Sequence, residues 1–468
     1  MLKQYDVIIV GAGPAGIYAA INLVNTRRRI LIVEKGHSLK ERFCRGRVGR
    51  CLNCRPCAVM NGWGGAGAFS DGKLTLSSHF GGSLPEYLGM AKTEELIARV
   101  DGLYCSYGAP SRTFGTDSSA VEEISLQAAA VGLELIPAVI RHLGTENCLQ
   151  VLSNIEHFLT GKVDCLFHSP VHQIIVEDRC VRGVQLESGE ILRAPYVICG
   201  TGREGSLWLL QEAQRLGLSM SNNPVDIGIR VEVPAKVLEN ITSRLYESKL
   251  IYTAPTFGDR VRTFCMNPYG EVVLENCEGV VTVNGHSYGE KERQSENTNF
   301  ALLVSKNFTV PFKEPVRYGR YIASLANMLG DGVLLQRLGD LLAGHRSTVE
   351  RIKKGALRPT LQEATPGDLS LVLPYRYLCS LLEMLSALDK LAPGIYVPDT
   401  LLYGVEVKFY SHRLLLTRFL ETEIENLFAV GDGAGVTRGL VQASASGLLA
   451  AEEISRRLEH GKPGQDKK

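Results

Sequence analysis

A glycine-rich turn follows the apolar residues 5–10 and has the sequence Gly11-Ala12-Gly13-Pro14-Ala15-Gly16. After a strand and before a helix, glycines at these spacings allow a tight turn, close approach of a pyrophosphate and helix–strand packing. The next apolar run ends at Glu34, near the spacing expected for a carboxylate that binds a ribose, and Lys35 follows it. These residues predict a dinucleotide site. The alternative is a glycine turn without a ligand.

A second glycine turn lies near the carboxyl end, where residues 426–430 lead into Gly431-Asp432. The Asp432 carboxylate suits the hydroxyls of a ribityl chain, which FAD has and a nicotinamide dinucleotide lacks. The run Arg438-Gly439-Leu440 then begins a predicted helix whose amino terminus favours negative charge on a reduced flavin ring. The pattern therefore predicts FAD. The alternative for Asp432 is to cap that helix.

A third turn, Gly200-Thr201-Gly202-Arg203-Glu204-Gly205, also has the spacing of a dinucleotide turn. It is consistent with a separate NAD(P)H domain, but no βαβ unit with an acidic strand end follows it. We therefore assign Thr201 and Gly202 to the same FAD fold.

Histidine and arginine side chains supply the candidates for acid–base chemistry. We predict that Arg230, His286 and the pair His345-Arg346 include a proton donor or an anion clamp beside a hydride-accepting flavin. The pair Arg141-His142 is a further candidate, and Arg438 is expected near the flavin ring because it follows the last glycine turn. Each of these side chains has a purely structural role as its alternative.

Four cysteines are clustered at Cys44, Cys51, Cys54 and Cys57. Three of them form a Cys-x-x-Cys-x-x-Cys run, a spacing that suits an iron-sulfur cluster better than the paired halves of a zinc site. Such a cluster would pass single electrons to FAD. Zinc, redox-active thiols and plain reduced cysteines are the alternatives.

The composition is that of a globular protein with more than one domain. The chain has 468 residues, 45% of them hydrophobic and 22% charged, and its formal net charge is +1. This balanced charge argues against binding to nucleic acid or to an anionic membrane surface. Residues 7–24 carry no charge, but Pro14 and Asn22 within them argue against a signal peptide or a spanning helix. We therefore expect a cytoplasmic protein that acts on a small molecule.

Hydrophobic periodicity predicts the elements that must position these residues. A strand, a helix and a strand are expected at residues 5–10, 15–25 and 30–34, which is a βαβ opening. Short strands are expected within residues 165–199. From residue 224 the pattern changes to strands mixed with helices, including a helix at 334–342.

This change of pattern predicts an α/β fold in which one domain interrupts another. Residues 1–223 are expected to form the first part of an FAD-binding Rossmann domain, and residues 397–468 its final part with a carboxyl-terminal tail. Residues 224–396 are expected to form an inserted, mixed α+β substrate domain.

Several motifs together resemble a known family. The opening turn, Thr201-Gly202 and Gly431-Asp432 resemble the glutathione-reductase-type FAD fold. More narrowly, five further motifs resemble a largely uncharacterised family of FAD-dependent dehydrogenases. These motifs lie at residues 64–74, 141–145, 226–230, 284–287 and 431–442. The resemblance covers nearly the whole chain. It implies FAD and a discontinuous substrate domain, but it implies no particular substrate.

In that fold, the loop at residues 64–73 would approach the pyrophosphate and the flavin ring. Its glycines would permit the close approach, and its polar side chains would hydrogen-bond flavin N5 or the substrate, or else only the loop backbone. The candidates for cofactor contact in this loop are Gly65, Ala66, Ser70, Asp71, Gly72 and Lys73.

We therefore predict an FAD-dependent oxidoreductase, a dehydrogenase that exchanges hydride between flavin N5 and an organic substrate. The reaction would saturate or desaturate a C–C or C–N bond. One alternative is a non-redox flavoenzyme that isomerises a double bond. Another is a flavin-containing binding or RNA-modification protein, against which the neutral charge argues.

Overall fold

The structure is a computed structural model. It describes residues 4–44, 54–221, 223–277, 279–306, 312, 314–408 and 412–460. The chain forms two compact units, each built from separate segments. The first unit comprises residues 1–111, 146–223 and 410–468, and the second comprises residues 112–145 and 224–409.

A five-stranded parallel sheet forms the centre of the first unit. Its strands, in spatial order, are Leu427–Ala429, Tyr196–Cys199, Val7–Val10, Ile30–Val33 and Asp164–Leu166. The middle strands are apolar and fully buried, as expected for a parallel sheet that is covered on both faces. The neighbouring antiparallel sheet consists of Val171–Glu177, Cys180–Leu186 and Ile191–Arg193.

Two helices of the first unit pack closely against each other. They are Pro14–Leu23 and Leu440–His460, which come from opposite ends of the chain. A methyl group on Gly447 would lie 1.9 Å from the carbonyl oxygen of Ala15, so only glycine permits this approach. The helices and the parallel sheet confirm the predicted α/β class with a glutathione-reductase-type Rossmann sheet.

The first unit contains several further elements. Its other helices are Leu84–Leu88, Met90–Ser106, Thr145–Leu159 and Ser206–Arg215. Its 3₁₀ helices are Val24–Thr26, Leu39–Glu41, Gly65–Phe69 and Asp432–Ala434. Its remaining strands are Lys73–Thr75 and the antiparallel pair Met220–Ser221 and Arg413–Leu414.

An eight-stranded mixed sheet forms the centre of the second unit. Its strands, in spatial order, are Thr365–Pro366, Leu334–Arg337, Leu401–Lys408, Val225–Pro234, Asn297–Lys306, Asp259–Asn267, Lys249–Ala254 and Leu133–Ile136. A hairpin of Glu271–Cys277 and Val280–His286 and the short strand Ile140–His142 complete its strands in the described residues. This mixed α and β composition confirms the predicted type of the inserted domain.

The helices of the second unit supply its apolar core together with the sheet. They are Ser118–Ala130, Ala235–Leu245, Pro315–Gly330, Leu338–Leu342, Val349–Lys354 and Tyr375–Leu391, with 3₁₀ helices at Lys291–Arg293 and Leu369–Leu371. Leu381 and Leu385 of the long helix belong to the same buried cluster as Ile229 and Phe300 of the central strands.

The structure differs from the predicted elements at residues 334–342. Leu334–Arg337 is a strand that pairs with Leu401–Lys408, and only Leu338–Leu342 is helical. A short apolar run fits a buried strand and a buried helix equally well, so strand pairing decided the outcome.

The units also divide the chain at other positions than the predicted domain boundaries. Strand Leu401–Lys408 pairs with Val225–Pro234, which places it in the second unit. Residues 112–145 belong to that unit as well, because Leu133–Ile136 forms its edge strand.

Among the helices of the described residues, none is both long enough and apolar enough to cross a membrane.

Candidate functional site

The opening glycine turn lies at the carboxyl end of strand Val7–Val10. Gly11 has a φ of 103°, and a methyl group on it would lie 2.4 Å from the carbonyl oxygen of Gly200. A methyl group on Gly16 would lie 2.0 Å from the carbonyl oxygen of Gly11. At Gly13 no other atom lies within 4 Å of the methyl position. The turn is therefore tightly packed against other backbone at Gly11 and Gly16, whereas space remains at Gly13.

Glu34 joins this turn to two other segments. Its buried carboxylate accepts backbone amide hydrogen bonds from Ala12 at 2.8 Å, from Gly36 at 2.8 Å and from Gly62 at 3.0 Å. Each carboxylate oxygen has more than one acceptor position, so these bonds leave acceptor capacity for a ribose hydroxyl. Glu34, which is predicted to bind the ribose, thus also holds these three segments of the protein together.

The loop that follows Gly62 lies directly on the glycine turn. The Gly64 amide donates to the Ala12 carbonyl at 2.8 Å. A methyl group on Gly65 would lie 3.1 Å from Cα of Gly13, and one on Gly67 would lie 2.9 Å from Leu440. Gly65 and Ala66 are therefore positioned beside the turn, within the 3₁₀ helix Gly65–Phe69.

Arg42 fixes this loop and was not among the predicted site residues. Its buried guanidinium donates to the carbonyl oxygens of Ala58, Val59, Trp63 and Gly65. Burial lowers the pKa of Arg42 to about 10, which still leaves it charged at neutral pH. Nothing in the sequence distinguishes Arg42 from the other arginines around it.

The end of the loop carries a buried ion pair. Lys73 Nζ lies 3.3 Å from Asp71 Oδ2, and the two side chains are only 8% and 9% exposed. Ser70 is engaged in the turn itself, because its hydroxyl donates to the Gly67 carbonyl and accepts from the Gly72 amide. The polar candidates of this loop therefore include one turn-forming residue and one charged pair.

The two remaining predicted turns pack against each other. A methyl group on Gly433 would lie 2.6 Å from Thr201 Oγ1 and 2.7 Å from the carbonyl oxygen of Gly202. Gly431 has a φ of 73°, and its amide donates to Ser446 Oγ at 3.0 Å. Thr201 and Gly202 thus form part of the same site as the carboxyl-terminal turn.

Asp432 is half-buried at the start of this last turn. Burial raises the pKa of its carboxyl, although Arg203, Thr437 and Arg438 act in the opposite direction. Thr437 Oγ1 donates to Asp432 Oδ1 at 2.6 Å, and Arg203 Nε lies 3.9 Å from Oδ2. The Arg438 amide donates to the Gly81 carbonyl just before helix Leu440–His460 begins.

These features fit FAD. Helix Pro14–Leu23 has no side-chain cap at Gly13, so its first amides face a space suited to a diphosphate. Glu34 and Asp432 are the carboxylates predicted for the ribose and the ribityl chain. Lys35 is paired with Glu204 at 3.7 Å, which places it at the edge of the same group of turns.

The comparison with known protein families agrees with this site. Residues 6–47 match the family model described as FAD binding domain, and residues 224–409 match the model described as FAD-dependent protein, C-terminal domain-like. Both models describe FAD proteins, and the chain is therefore similar to FAD-dependent proteins. The predicted cofactor and family resemblance are thereby confirmed.

Proteins similar to this chain include an uncharacterized protein of Clostridium beijerinckii. It is 28% identical over 486 aligned positions, which cover 97% of this chain and 81% of the relative. Glycine oxidase from Geobacillus kaustophilus aligns over 97% of this chain and 95% of its own, with 15% identity and a TM-score of 0.41. A 3-ketosteroid-Δ4-(5α)-dehydrogenase from Rhodococcus jostii aligns over 97% of both chains, with 14% identity and a TM-score of 0.44. At these TM-scores, neither structure indicates an activity or a substrate for this protein.

Arg230 of the second unit is fully buried and fully engaged. Its guanidinium forms two hydrogen bonds with the Glu406 carboxylate, at 2.8 and 2.9 Å. The remaining donors contact the Cys265 carbonyl, Asn284 and Asn299. Burial acts to lower the pKa of Arg230, but Glu406 raises it overall. This geometry favours the structural alternative for Arg230.

The other predicted catalytic residues lie in different surroundings. His286 is half-buried at the end of strand Val280–His286, and its neighbour Gly285 packs on the Arg230 guanidinium. His345 and Arg346 lie on an exposed turn after helix Leu338–Leu342. The structure therefore places His286 next to Gly285, which contacts Arg230, and places His345 and Arg346 on the surface of their unit.

A tyrosine that the sequence did not single out lies beside two residues of the family motifs. The hydroxyls of Tyr246 and Ser287 are 2.7 Å apart, and the ring centroids of Tyr246 and His142 are 4.5 Å apart. Tyr246 also has a φ of 61°, a conformation that bulky residues rarely adopt and that is concentrated at functional sites. Only three-dimensional proximity identifies this group, because nothing in the local sequence around Tyr246 marks it.

The cysteine cluster is only partly within the described residues. Cys51 lies outside them, while Cys54 is exposed and Cys44 and Cys57 are half-buried. Burial raises the pKa of the Cys57 thiol. The iron-sulfur cluster stays a prediction.

Proposed function

We propose that this protein is an FAD-dependent oxidoreductase that saturates or desaturates a C–C or C–N bond of a small organic molecule. Bound FAD supplies the hydride donor or acceptor for such a reaction at its N5 atom. A hydride on one atom of the double bond requires a proton on the other, so the protein must supply a proton donor. The hydroxyl pair of Tyr246 and Ser287 is the observation that supports this function.

Tyr246 Oη gives its proton to the substrate in the saturating direction. Once the product has left, Tyr246 Oη is reprotonated through Ser287 Oγ, which lies 2.7 Å away. The His142 ring stacks against Tyr246 and limits the positions its ring can take. In the desaturating direction the same atoms accept the proton. His286, next to Ser287 in the chain, is the second candidate for this role.

The residues of the first unit bind and orient the cofactor. The open space at Gly13 and the amino terminus of helix Pro14–Leu23 suit the diphosphate, and Glu34 suits the adenosine ribose. Asp432 accepts from the ribityl hydroxyls, and the amino terminus of helix Leu440–His460 stabilises negative charge on the reduced ring. The buried pair of Asp71 and Lys73 offers polar contacts to the ring or the substrate.

Anaerobic photoreduction of the FAD-loaded protein tests this function. The reduced protein is mixed with a panel of electron-poor alkenes and imines, and recovery of the oxidised flavin absorbance is followed together with the product. We expect at least one compound to reoxidise the flavin with one saturated product for each flavin. A compound whose double bond only shifts, with the flavin left reduced, would instead support the isomerase alternative.

The variant Tyr246→Phe separates the proton donor from the cofactor site. We expect FAD to remain bound, while reoxidation by the substrate slows and loses its wild-type pH profile. Tyr252→Phe, a half-buried tyrosine of the same unit, is the control. Reoxidation at the wild-type rate by the Tyr246 variant would exclude Tyr246 as the donor, and failure of the whole panel would contradict the reaction class.

A further inference from the structure

Three metal-ligating side chains meet in the first unit, apart from the predicted cysteine cluster. His37 follows strand Ile30–Val33, and His168 follows the neighbouring parallel strand Asp164–Leu166. Glu41 ends the 3₁₀ helix Leu39–Glu41. One nitrogen of each imidazole and one Glu41 oxygen all lie within 4.8 Å of one another. In the part of the chain that the structure describes, this is the one group of three such ligands.

The backbone holds both histidines in place. The His168 amide donates to the Gly36 carbonyl at 3.1 Å, and the Trp63 amide donates to the His37 carbonyl at 3.0 Å. His168 has a φ of 54°, which is uncommon for a residue other than glycine. The two rings stand edge to face with centroids 4.7 Å apart. The backbone positions of both histidines are therefore fixed by hydrogen bonds that do not involve their side chains.

Glu41 is oriented by a neighbouring serine. Ser38 donates to Glu41 Oε2 through its hydroxyl at 2.7 Å and through its amide at 3.2 Å. The same oxygen lies 3.2 Å from Nε2 of His168. Hydrogen bonds of this kind commonly orient the ligands of metal sites and contribute to metal affinity.

We propose that His37, Glu41 and His168 bind a divalent transition-metal ion of the zinc type. Two imidazole nitrogens and one carboxylate oxygen are a common protein ligand set for zinc, with water in the fourth position. The ion would replace the present contact between His168 and Glu41. It would join the ends of two neighbouring strands beside Glu34, whose amide and carbonyl bond Leu166 and Ser169.

Zinc binding to the FAD-loaded, full-length protein tests the proposal. Titration calorimetry would compare the wild type with Glu41→Gln and His168→Asn, because asparagine also accepts the left-handed backbone of residue 168. Loss of even an outer contact weakens metal sites about 10- to 100-fold, so each ligand variant should bind zinc at least about tenfold more weakly. His172→Asn, an exposed histidine of the same unit, should bind zinc like the wild type.

The predicted cysteine cluster could bind zinc as well, so the ligand type must be measured. Zinc K-edge absorption of the one-to-one complex should show nitrogen and oxygen neighbours, and FAD content should confirm that every variant is folded. A wild type that binds no zinc would overturn the proposal. Sulfur ligation alone, or equal zinc affinity in wild type and both ligand variants, would also overturn it.

Discussion

At the scale of single residues, Glu34 organises the protein with the same carboxylate that we propose to bind the ribose of FAD. Its carboxylate holds the amides of Ala12, Gly36 and Gly62, which belong to three different turns. A glutamine in this position would direct an N–H group at one of these amides. Hydrogen bonds to charged groups contribute about 1.5–3 kcal/mol, so Glu34→Gln should raise the Kd for FAD about 10- to 100-fold.

Titration of the apoprotein with FAD, followed by flavin fluorescence, measures this effect. Glu187→Gln changes an exposed glutamate of the same unit and should leave the Kd unchanged. Equal FAD affinity in Glu34→Gln and the wild type would mean that Glu34 organises the turns without contacting the ribose.

Arg230 is the residue for which structure and sequence suggest different roles. Breaking a buried ion pair costs about 3–5 kcal/mol. Because Lys408 Nζ also lies 3.1 Å from Glu406, we expect Arg230→Met to lower the free energy of unfolding by the lower end of that range. Urea unfolding measures the change, and the exposed Arg346→Met should shift stability by less than about 0.5 kcal/mol. Wild-type stability with lost turnover in Arg230→Met would restore its catalytic role.

The predictability of a residue's role depended on where its partners lie in the sequence. Gly11, Gly13, Gly16 and Glu34 were identifiable because all four belong to one βαβ unit, whose spacing is set by local geometry. Arg230 meets Glu406 at a separation of 176 residues, and Tyr246 meets Ser287 across 41. Such pairs are formed by strand order and by loop packing, which no local pattern encodes.

At the scale of elements, the packing of helices Pro14–Leu23 and Leu440–His460 connects the two ends of the chain. Gly447 lies against the Ala15 backbone, where a methyl group would be 1.9 Å from the carbonyl oxygen. Overpacking of this kind typically costs about 1–3 kcal/mol, so Gly447→Ala should lower the Tm and also weaken FAD binding. The weaker binding follows because the second helix begins next to the Asp432 turn.

Gly102 provides the matched control for this substitution. It lies in helix Met90–Ser106, and no other atom lies within 4 Å of the methyl position. Gly102→Ala should therefore leave the protein unchanged or stabilise it by about 0.5–1 kcal/mol. Thermal unfolding followed by circular dichroism compares the two, and equal Tm values would contradict the close helix contact.

Elements with a clear period were predictable, and elements defined by their neighbours were not. The strands Val7–Val10 and Ile30–Val33 and the helix Pro14–Leu23 were predicted to within two residues of their ends. Leu334–Arg337 was mistaken for a helix because its four residues are too few to show a period. Leu401–Lys408, the strand that pairs with Leu334–Arg337, belongs to the second unit as well.

At the scale of the whole molecule, the stability of the second unit depends on contacts between distant segments. Asp259, whose side chain is 5% exposed, is one such contact. It accepts two hydrogen bonds from Arg376 of helix Tyr375–Leu391, at 2.7 and 2.8 Å, and it pairs with Lys306 of a neighbouring strand. Arg376 lowers the pKa of the Asp259 carboxyl, with help from Lys306 and against the effect of burial.

The sign of this shift determines how stability should change with pH. The folded protein favours ionised Asp259 more than the unfolded chain does, so Asp259 stabilises the fold above the ordinary carboxyl pKa of 3.8. This contribution should disappear as the pH falls through that value and then through the lower pKa of the folded state. Asp259→Asn should therefore be less stable than the wild type by about 1.5–3 kcal/mol near neutral pH. The difference should shrink below about pH 4. Urea unfolding from pH 7 to acid pH measures this difference in the free energy of unfolding, with the exposed Asp178→Asn as the control. A difference that does not change with pH would show that the charge of Asp259 does not contribute to stability.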